Sequence, residues 1–148
     1  GKFRRQRQMC IRDREQGATY HSTLESLLPV ADFLSLHCPA TDKTNGMMNR
    51  DRLATMPDGA VLINCARGTL VDEAALLQAL DSGKLAAAGL DCFADEPGGN
   101  PTFAAHENIF MLPHIGSATR ATRDAMGFRA LDNMDAFFAG KTPGDLVN

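Results

Sequence analysis

"LINCARGTLVDEAALLQALDSGKLAAAGLDC", residues 62–92, opens on an apolar run, passes an arginine and a glycine, continues as a helix-like stretch and closes on a second apolar run. Asp72 is placed to cap the helix, Leu76, Leu77 and Leu80 share one face at helical spacing, and Gly83 supplies the stop. Apolar runs that do not alternate read as strands of a parallel sheet rather than as half-exposed hairpin strands. The stretch is therefore strand, helix, strand, the minimal crossover unit.

The unit repeats on both sides. Cys38, Cys65 and Cys92 lie 27 residues apart, and each ends an apolar run: "FLSLHC", "VLINC" and "AAAGLDC". Between the first two, "NRDRLATM" (49–56) is expected to be helical, and a fourth run, "IFMLP" (109–113), ends at His114. A long helix should follow from about Ala118 to Ala139, closed by Gly140. Earlier, "GATYH" (17–21) is a candidate strand and "STLESLLPVA" (22–31) a short helix capped by Ser22. Alternation of this kind predicts an α/β fold whose parallel sheet is covered by helices on both faces.

Composition narrows the class. The 148 residues are 44% hydrophobic and 22% charged with a net charge of −3, as for a globular domain. No apolar run approaches the roughly 18–20 residues of a membrane span, and no apolar signal core opens the chain, so a cytoplasmic protein is expected. The acidic balance argues against a nucleic-acid partner. Cys10, Cys38, Cys65 and Cys92 form no close CxxC pair, so no metal site is expected.

In an open parallel sheet, ligands bind outside the carboxyl ends of the strands. His37, Asn64, Arg67, Asp91 and His114 all lie at or just beyond such ends. Any one of them reads as easily as a polar residue that ends a strand in solvent. The five together mark that edge as the candidate site.

The blocks "LHCPATDKT", "LINCARGTLVDEAAL", "GLDCFADEP" and "LPHIGSAT", in this order, resemble the C-terminal half of the D-isomer-specific 2-hydroxyacid dehydrogenases. The likeness is to the glyoxylate/hydroxypyruvate reductase, or glycerate dehydrogenase, branch, and runs from about Glu15 to Asn148. The spacings agree, with 29 residues from Arg67 to Glu96 and 18 from Glu96 to His114.

What the resemblance implies is specific. The fold would be an incomplete Rossmann-type doubly wound parallel sheet, followed by a long helix that returns to a substrate domain not contained in these residues. The parent would be a homodimeric oxidoreductase that transfers hydride between NAD(P)H and a small 2-keto acid, giving a D-2-hydroxy acid. The catalytic set would be Arg67, binding the substrate's carboxylate and carbonyl oxygen with its planar fork, His114 as general acid, and Glu96 as the carboxylate partner of His114. Asp91 would accept a hydrogen bond from the nicotinamide carboxamide. His37, Cys38 and Pro39 would line the adenosine side, and Cys65, Ala66, Arg67, Gly116 and Ser117 would also contact the cofactor. The thiols of Cys38, Cys65 and Cys92 are expected to behave as small buried apolar groups. Gly68 is either a turn glycine or one that brings the backbone close under cofactor or substrate. His21 and His106 match no functional position.

Some expected parts do not occur in these 148 residues. There is no GxGxxG pyrophosphate loop and no ribose-reading strand after it, so the choice between NAD and NADP is not readable. Nor is the particular 2-keto acid. By itself the chain is expected to be inactive. Residues 15–119 are expected to be the C-terminal part of the NAD(P)-binding domain, and 120–148 a helix and tail. Met126, Ala130, Met134 and Phe137 would be core of that helix, deprived of part of its partner. "GKFRRQRQMCIRDR" (1–14), with five arginines, is expected to be a non-native leader rather than a basic tail for an anionic partner. Met9–Asp13 can be encoded by ATG TGT ATA AGA GAC, which looks like a transposon end from a sequencing library. A second class of function stays open, since the same fold serves nucleotide-sensing or protein-binding modules of corepressor type.

Overall fold

The structure, a computed structural model, describes residues 17–146. Cys10 and the leader question of residues 1–14 lie outside them. The chain divides into two compact units, Gly1–Met111 and Leu112–Asn148.

In the first unit a short helix α1 (Leu24–Leu27) and a 3-10 turn (Leu28–Val30) lead into strand β1 (Phe33–Leu36). Helix α2 (Arg50–Thr55), strand β2 (Ala60–Asn64), a 3-10 turn (Gly68–Leu70), helix α3 (Glu73–Asp81) and strand β3 (Leu85–Leu90) follow. Helix α4 (Pro101–Ala105) and strand β4 (Ile109–Met111) complete it. The four strands pair in parallel in the order β1-β2-β3-β4. The register aligns Leu34, Leu62, Ala88 and Ile109 in one row, and Leu36, Asn64, Leu90 and Met111 in the last row before the carboxyl ends.

These rows face the core. Leu34, Leu36, Leu62, Ala88 and Leu90 join Leu28, Leu53, Leu76, Leu80 and Phe103 from the turn and helices in one buried cluster. The opposite face differs from the expectation that helices cover both. Along β1 the pattern alternates, with Phe33 74% exposed, and Phe110 of β4 is 67% exposed. Val61 and Ile63 there are half-buried. The rule linking unbroken apolar runs to two-sided burial holds for one face among the described residues.

Local signals explain the helix ends. Asp72 caps α3 by accepting from the Ala75 N–H at 3.0 Å, as expected, and Gly83 ends it at φ 73°. Asn49 caps α2 through the Arg52 N–H at 3.1 Å. The cap of α1 is Thr23 rather than Ser22, accepting from the Ser26 N–H at 3.2 Å. Residues 17–21 form no strand: 17–20 are exposed, so nothing orders them as one. Helix α4 was not anticipated, because "ADEPGGNPTF" reads as loop throughout. Its signal is Asn100 before Pro101, with the Asn100 side chain accepting from the Thr102 N–H at 3.0 Å and Pro at the first helical position.

The second unit holds helix α5 (Arg120–Phe138), capped by Thr119. Its tail is tied back by Asp145, which accepts from Arg129 and Asn133. Met126, Met134 and Phe137 are 63%, 52% and 68% exposed, and Ala130 is exposed too, so the expected stripe is not core among the described residues. No helix among the described residues is long and apolar enough to cross a membrane.

Candidate active site

The last core row ends in an amide. Asn64, on the face occupied by Leu36 and Leu90, is only 1% exposed. A buried amide costs stability unless its donors and acceptor are used. Its Nδ2 donates to the Arg67 carbonyl at 2.9 Å, and its Oδ1 accepts from the Ala66 N–H at 3.1 Å. Thus one side chain closes the turn that follows β2. The Asn64 main-chain oxygen accepts in turn from the Asp91 N–H at 2.9 Å and the Cys92 thiol at 3.5 Å, joining that turn to the segment after β3.

Arg67 lies on this turn with its side chain exposed. Its guanidinium donates to the Ala66 carbonyl at 2.6 Å, and a guanidinium carries five N–H donors. Next to it, Gly68 is buried for a reason that differs from both expectations. A Cβ there would stand 1.9 Å from the Phe93 carbonyl carbon and 2.3 Å from the Ala94 nitrogen. The space is filled by this chain's own backbone, so the glycine locks the Arg67 turn against the segment carrying Glu96.

That segment, residues 91–100, is held along its length. Asp91 is 3% exposed at the end of β3. The Phe93 N–H donates to Glu96 Oε1 at 2.7 Å, so the exposed Glu96 closes its own turn before a cis peptide to Pro97. The Ala94 N–H donates to Glu73 Oε1 at 3.1 Å, and Asn100 Nδ2 donates to Glu73 Oε2 at 3.0 Å. Glu73 and Asn100 had no role in the sequence reading, and Asn64 had only a place at a strand end.

Cys92 reports how these groups lie together. It is 3% exposed, and burial pushes its thiol up to about 11; the carboxylates of Glu96 and Asp91 push the same way, while the Arg67 guanidinium pulls back. Arg67, Asp91 and Glu96 are thus within electrostatic reach of one sulfur. Cys38 is half-buried against the core with its thiol 3.6 Å from the Met47 sulfur, whereas Cys65 is exposed, contrary to expectation. His37 is exposed beyond β1 with Nε2 2.8 Å from the Ser35 hydroxyl, and the Pro39 carbonyl accepts from Thr44 at 2.7 Å. His106, left without a role, caps α4; its Nδ1 accepts from the Asn108 N–H at 3.2 Å and its Nε2 lies 3.5 Å from Asp81.

His114, Gly116 and Ser117 belong to the second unit, in the segment leading to α5. His114 is the one described non-glycine residue with positive φ, at 53°. Such a backbone costs on the order of 1 kcal/mol and concentrates at functional positions. A turn in which the Ala118 N–H donates to the Ile115 carbonyl at 2.9 Å follows it.

Comparison with known proteins identifies the lineage. Residues 2–116 match the model of the D-isomer specific 2-hydroxyacid dehydrogenase, NAD binding domain. The chain is 44% identical over 123 residues to the glycerate dehydrogenase of Hyphomicrobium methylovorum, covering 83% of this chain and 38% of that enzyme. Among solved structures it is similar to a D-isomer specific 2-hydroxyacid dehydrogenase from Polaromonas, with TM-score 0.86, 45% identity, and coverage of 90% of this chain and 42% of that one. It is also similar to an NADPH-dependent glyoxylate/hydroxypyruvate reductase from Sinorhizobium meliloti in complex with NADP and malonate. There the TM-score is 0.79 and the identity 42%, over 82% of this chain and 38% of that one. The chain therefore spans about two fifths of the length of these relatives, and it belongs to the D-isomer-specific 2-hydroxyacid dehydrogenase family, whose NAD-binding domain its first 116 residues match from residue 2.

Proposed function

We propose that this chain is part of an oxidoreductase that reduces a small 2-keto acid of the glyoxylate or hydroxypyruvate type to a D-2-hydroxy acid. The observation that carries the reading is the Arg67 turn: the buried Asn64 holds the backbone of that turn at the carboxyl end of a central parallel strand, and the turn presents an exposed planar guanidinium. The relatives' names, and the malonate beside NADP in the Sinorhizobium meliloti reductase, support a carboxylate-bearing substrate.

The residues present fit the nicotinamide side of a dinucleotide. Asp91, a nearly buried carboxylate at a strand end, offers only acceptors when ionised, as a carboxamide N–H₂ requires. His37, Cys38 and Pro39 follow β1, and Cys65, Ala66 and Arg67 follow β2, where the adenosine and nicotinamide sides of an open sheet's ligand lie. Gly116 and Ser117 complete the proposed cofactor contacts. Bound NADH or NADPH supplies the hydride.

The chain's own work is binding and proton delivery. Arg67 grips the carboxylate and polarises the carbonyl through charge-assisted hydrogen bonds. His114, protonated, gives its proton to the carbonyl oxygen as the alcohol forms, so one proton is consumed per turnover. In this reading Glu96 serves as the carboxylate partner of His114 in the full-length enzyme. The same reading includes a cytoplasmic, homodimeric parent without nucleic-acid or membrane partners; the net charge of −3 bears on the first of those partners alone.

The test is steady-state kinetics in an active full-length enzyme carrying this chain. Arg67→Lys should lower kcat/KM by more than about tenfold, roughly 1.4 kcal/mol of transition-state binding, because a point charge cannot replace a fork. Glu96→Gln, which keeps a hydrogen-bonding group but removes the charge, should move the pH profile of the reduction rate away from that of the parent. Near-normal kinetics of Arg67→Lys would place the substrate elsewhere. Dinucleotide binding without turnover in any 2-keto acid would favour a sensor on the same fold.

A further inference from the structure

We propose that Glu73 is a positioning residue that holds the Glu96 turn in one orientation. The inference rests on the reading of Glu96 above for its catalytic consequence, but not for its structural basis.

Glu73 is the first residue of α3, directly after the cap Asp72. The simpler account of an acid there is charge complementarity with the helix N-terminus, which any carboxylate in the first turn provides. The contacts show more. Its two oxygens go to two different points of one distant segment: Oε1 to the Ala94 N–H at 3.1 Å and Oε2 to Asn100 Nδ2 at 3.0 Å. Asn100 cannot turn its amide round without a loss, because its Oδ1 already caps α4 through the Thr102 N–H. So Glu73 links the helix that follows the Arg67 turn to the helix that follows the Glu96 segment.

Glu96 sits inside the span so defined. Its carboxylate accepts from the Phe93 N–H, one residue before the amide that Glu73 takes, and the Phe93–Ala94 peptide is the group pressed against Gly68. Gly68 limits that peptide from one side, and Glu73 pulls on it through the Ala94 N–H. Moving Ala94 off Glu73 would rotate the peptide that carries the Phe93 carbonyl and disturb the bond that orients Glu96. Within the 91–100 segment the Gly99 N–H also donates to the Asp95 carbonyl at 2.8 Å, so the displacement would be transmitted rather than absorbed.

Amide hydrogen exchange on residues 1–148 tests the structural claim without cofactor or substrate. Glu73→Asp keeps a charge on the helix N-terminus but withdraws the oxygens by one methylene. It should raise exchange at both Ala94 and Phe93 by roughly tenfold or more, with Leu62 in β2 unchanged. Glu73→Gln keeps one acceptor oxygen on the full stem for the Ala94 N–H but turns an N–H₂ toward Asn100 Nδ2, so exchange at both amides should rise less than in Glu73→Asp. Exchange rising at Ala94 alone, or Glu73→Asp behaving as the parent, would overturn the proposal.

In the active full-length enzyme, Glu73→Asp should shift the reduction pH profile in the same direction as Glu96→Gln, with KM within about twofold of the parent. A merely structural role would lower stability and leave the profile in place. If Glu96→Gln moves the profile and Glu73→Asp does not, the Glu73 proposal fails by itself. If neither moves it, the pairing of Glu96 with His114 fails, and hydrogen exchange still decides whether Glu73 holds the turn.

Discussion

Gly68→Ala measures how tightly the Arg67 turn and the Glu96 segment are locked. The added Cβ would lie 1.9 Å from the Phe93 carbonyl carbon, 2.2 Å from its oxygen and 2.3 Å from the Ala94 nitrogen. Favourable contact between carbon atoms begins near ~3.5 Å, so the two segments must part by roughly 1.5 Å. All three obstructing atoms are backbone, so no side chain can rotate away. Gly68 does not have positive φ, and the penalty is therefore steric rather than conformational. Overpacking a core costs about 1–3 kcal/mol when side chains can adjust, and a backbone obstruction belongs at or above the upper end. About 3 kcal/mol is a large part of the roughly 5–15 kcal/mol that stabilises a domain.

Thermal unfolding of residues 1–148, followed by circular dichroism, should register that loss as a fall in Tm of roughly 6–12 °C, at 2–4 °C per kcal/mol for a chain of this size. Gly89→Ala is the control. It lies on β3 with only the Ile63 Cγ1 atom near a built Cβ, at 4.0 Å, and should cost less than about 1 kcal/mol. If Gly68→Ala melts within about 2 °C of the parent, the close approach of the two segments is wrong, and Gly68 is an ordinary turn glycine.

Three further outcomes follow from the same structure. At pH 8, alkylation mapped by mass spectrometry should label Cys65 before Cys92, because Cys65 is exposed while Cys92 is buried with its thiol pushed up to about 11; first labelling at Cys92 would contradict this. The Asp145 carboxylate, held down to about 2 from 3.8 by Arg129 and Asn133, contributes stability that is present above about pH 4 and lost as pH falls through about 2. An NMR titration should find that low midpoint, and Arg129→Ala should move it back toward 3.8. Strand β1 has one strand neighbour among the described residues and a 74% exposed Phe33, so residues 1–148 should self-associate; a clean monomer at high concentration by light scattering would count against that.

How far the sequence could be read depends on the range of each interaction. Three of the helix starts were marked or could have been: Asp72 was identified, and Asn49 and the Asn100–Pro101 pair carry the same kind of signal within three residues. The four strands and their parallel sense follow from repeated apolar runs separated by helices, connections too long for hairpins. Coverage of the second sheet face was misjudged, because an apolar run states which residues tolerate burial and not what lies over them. The stripe on α5 is likewise exposed, and helical spacing does not state what lies over it. The proposal of His114, Arg67 and Glu96 rests on family likeness, since spacing alone leaves each as a polar residue in a loop or beyond a strand end.

The groups that organise the site were hidden for a different reason. Glu73 reaches Ala94 and Asn100 across 21 and 27 residues, and no local pattern encodes a contact at that separation. In the sequence Asn64 stands at the end of an apolar run, where the arginine three positions on is the more conspicuous residue. The structure inverts that emphasis: the arginine is exposed, and it is the amide that is buried. A chain that leaves a core row in a sharp turn strands the N–H and carbonyl groups it no longer pairs in the sheet. Asn64 carries one donor and one acceptor at the distance needed to satisfy both Arg67 and Ala66, which is what lets an always-charged residue follow a buried strand within three positions. A carboxylate at 64 would meet the Arg67 carbonyl oxygen with no proton to offer, so the turn depends on an amide specifically.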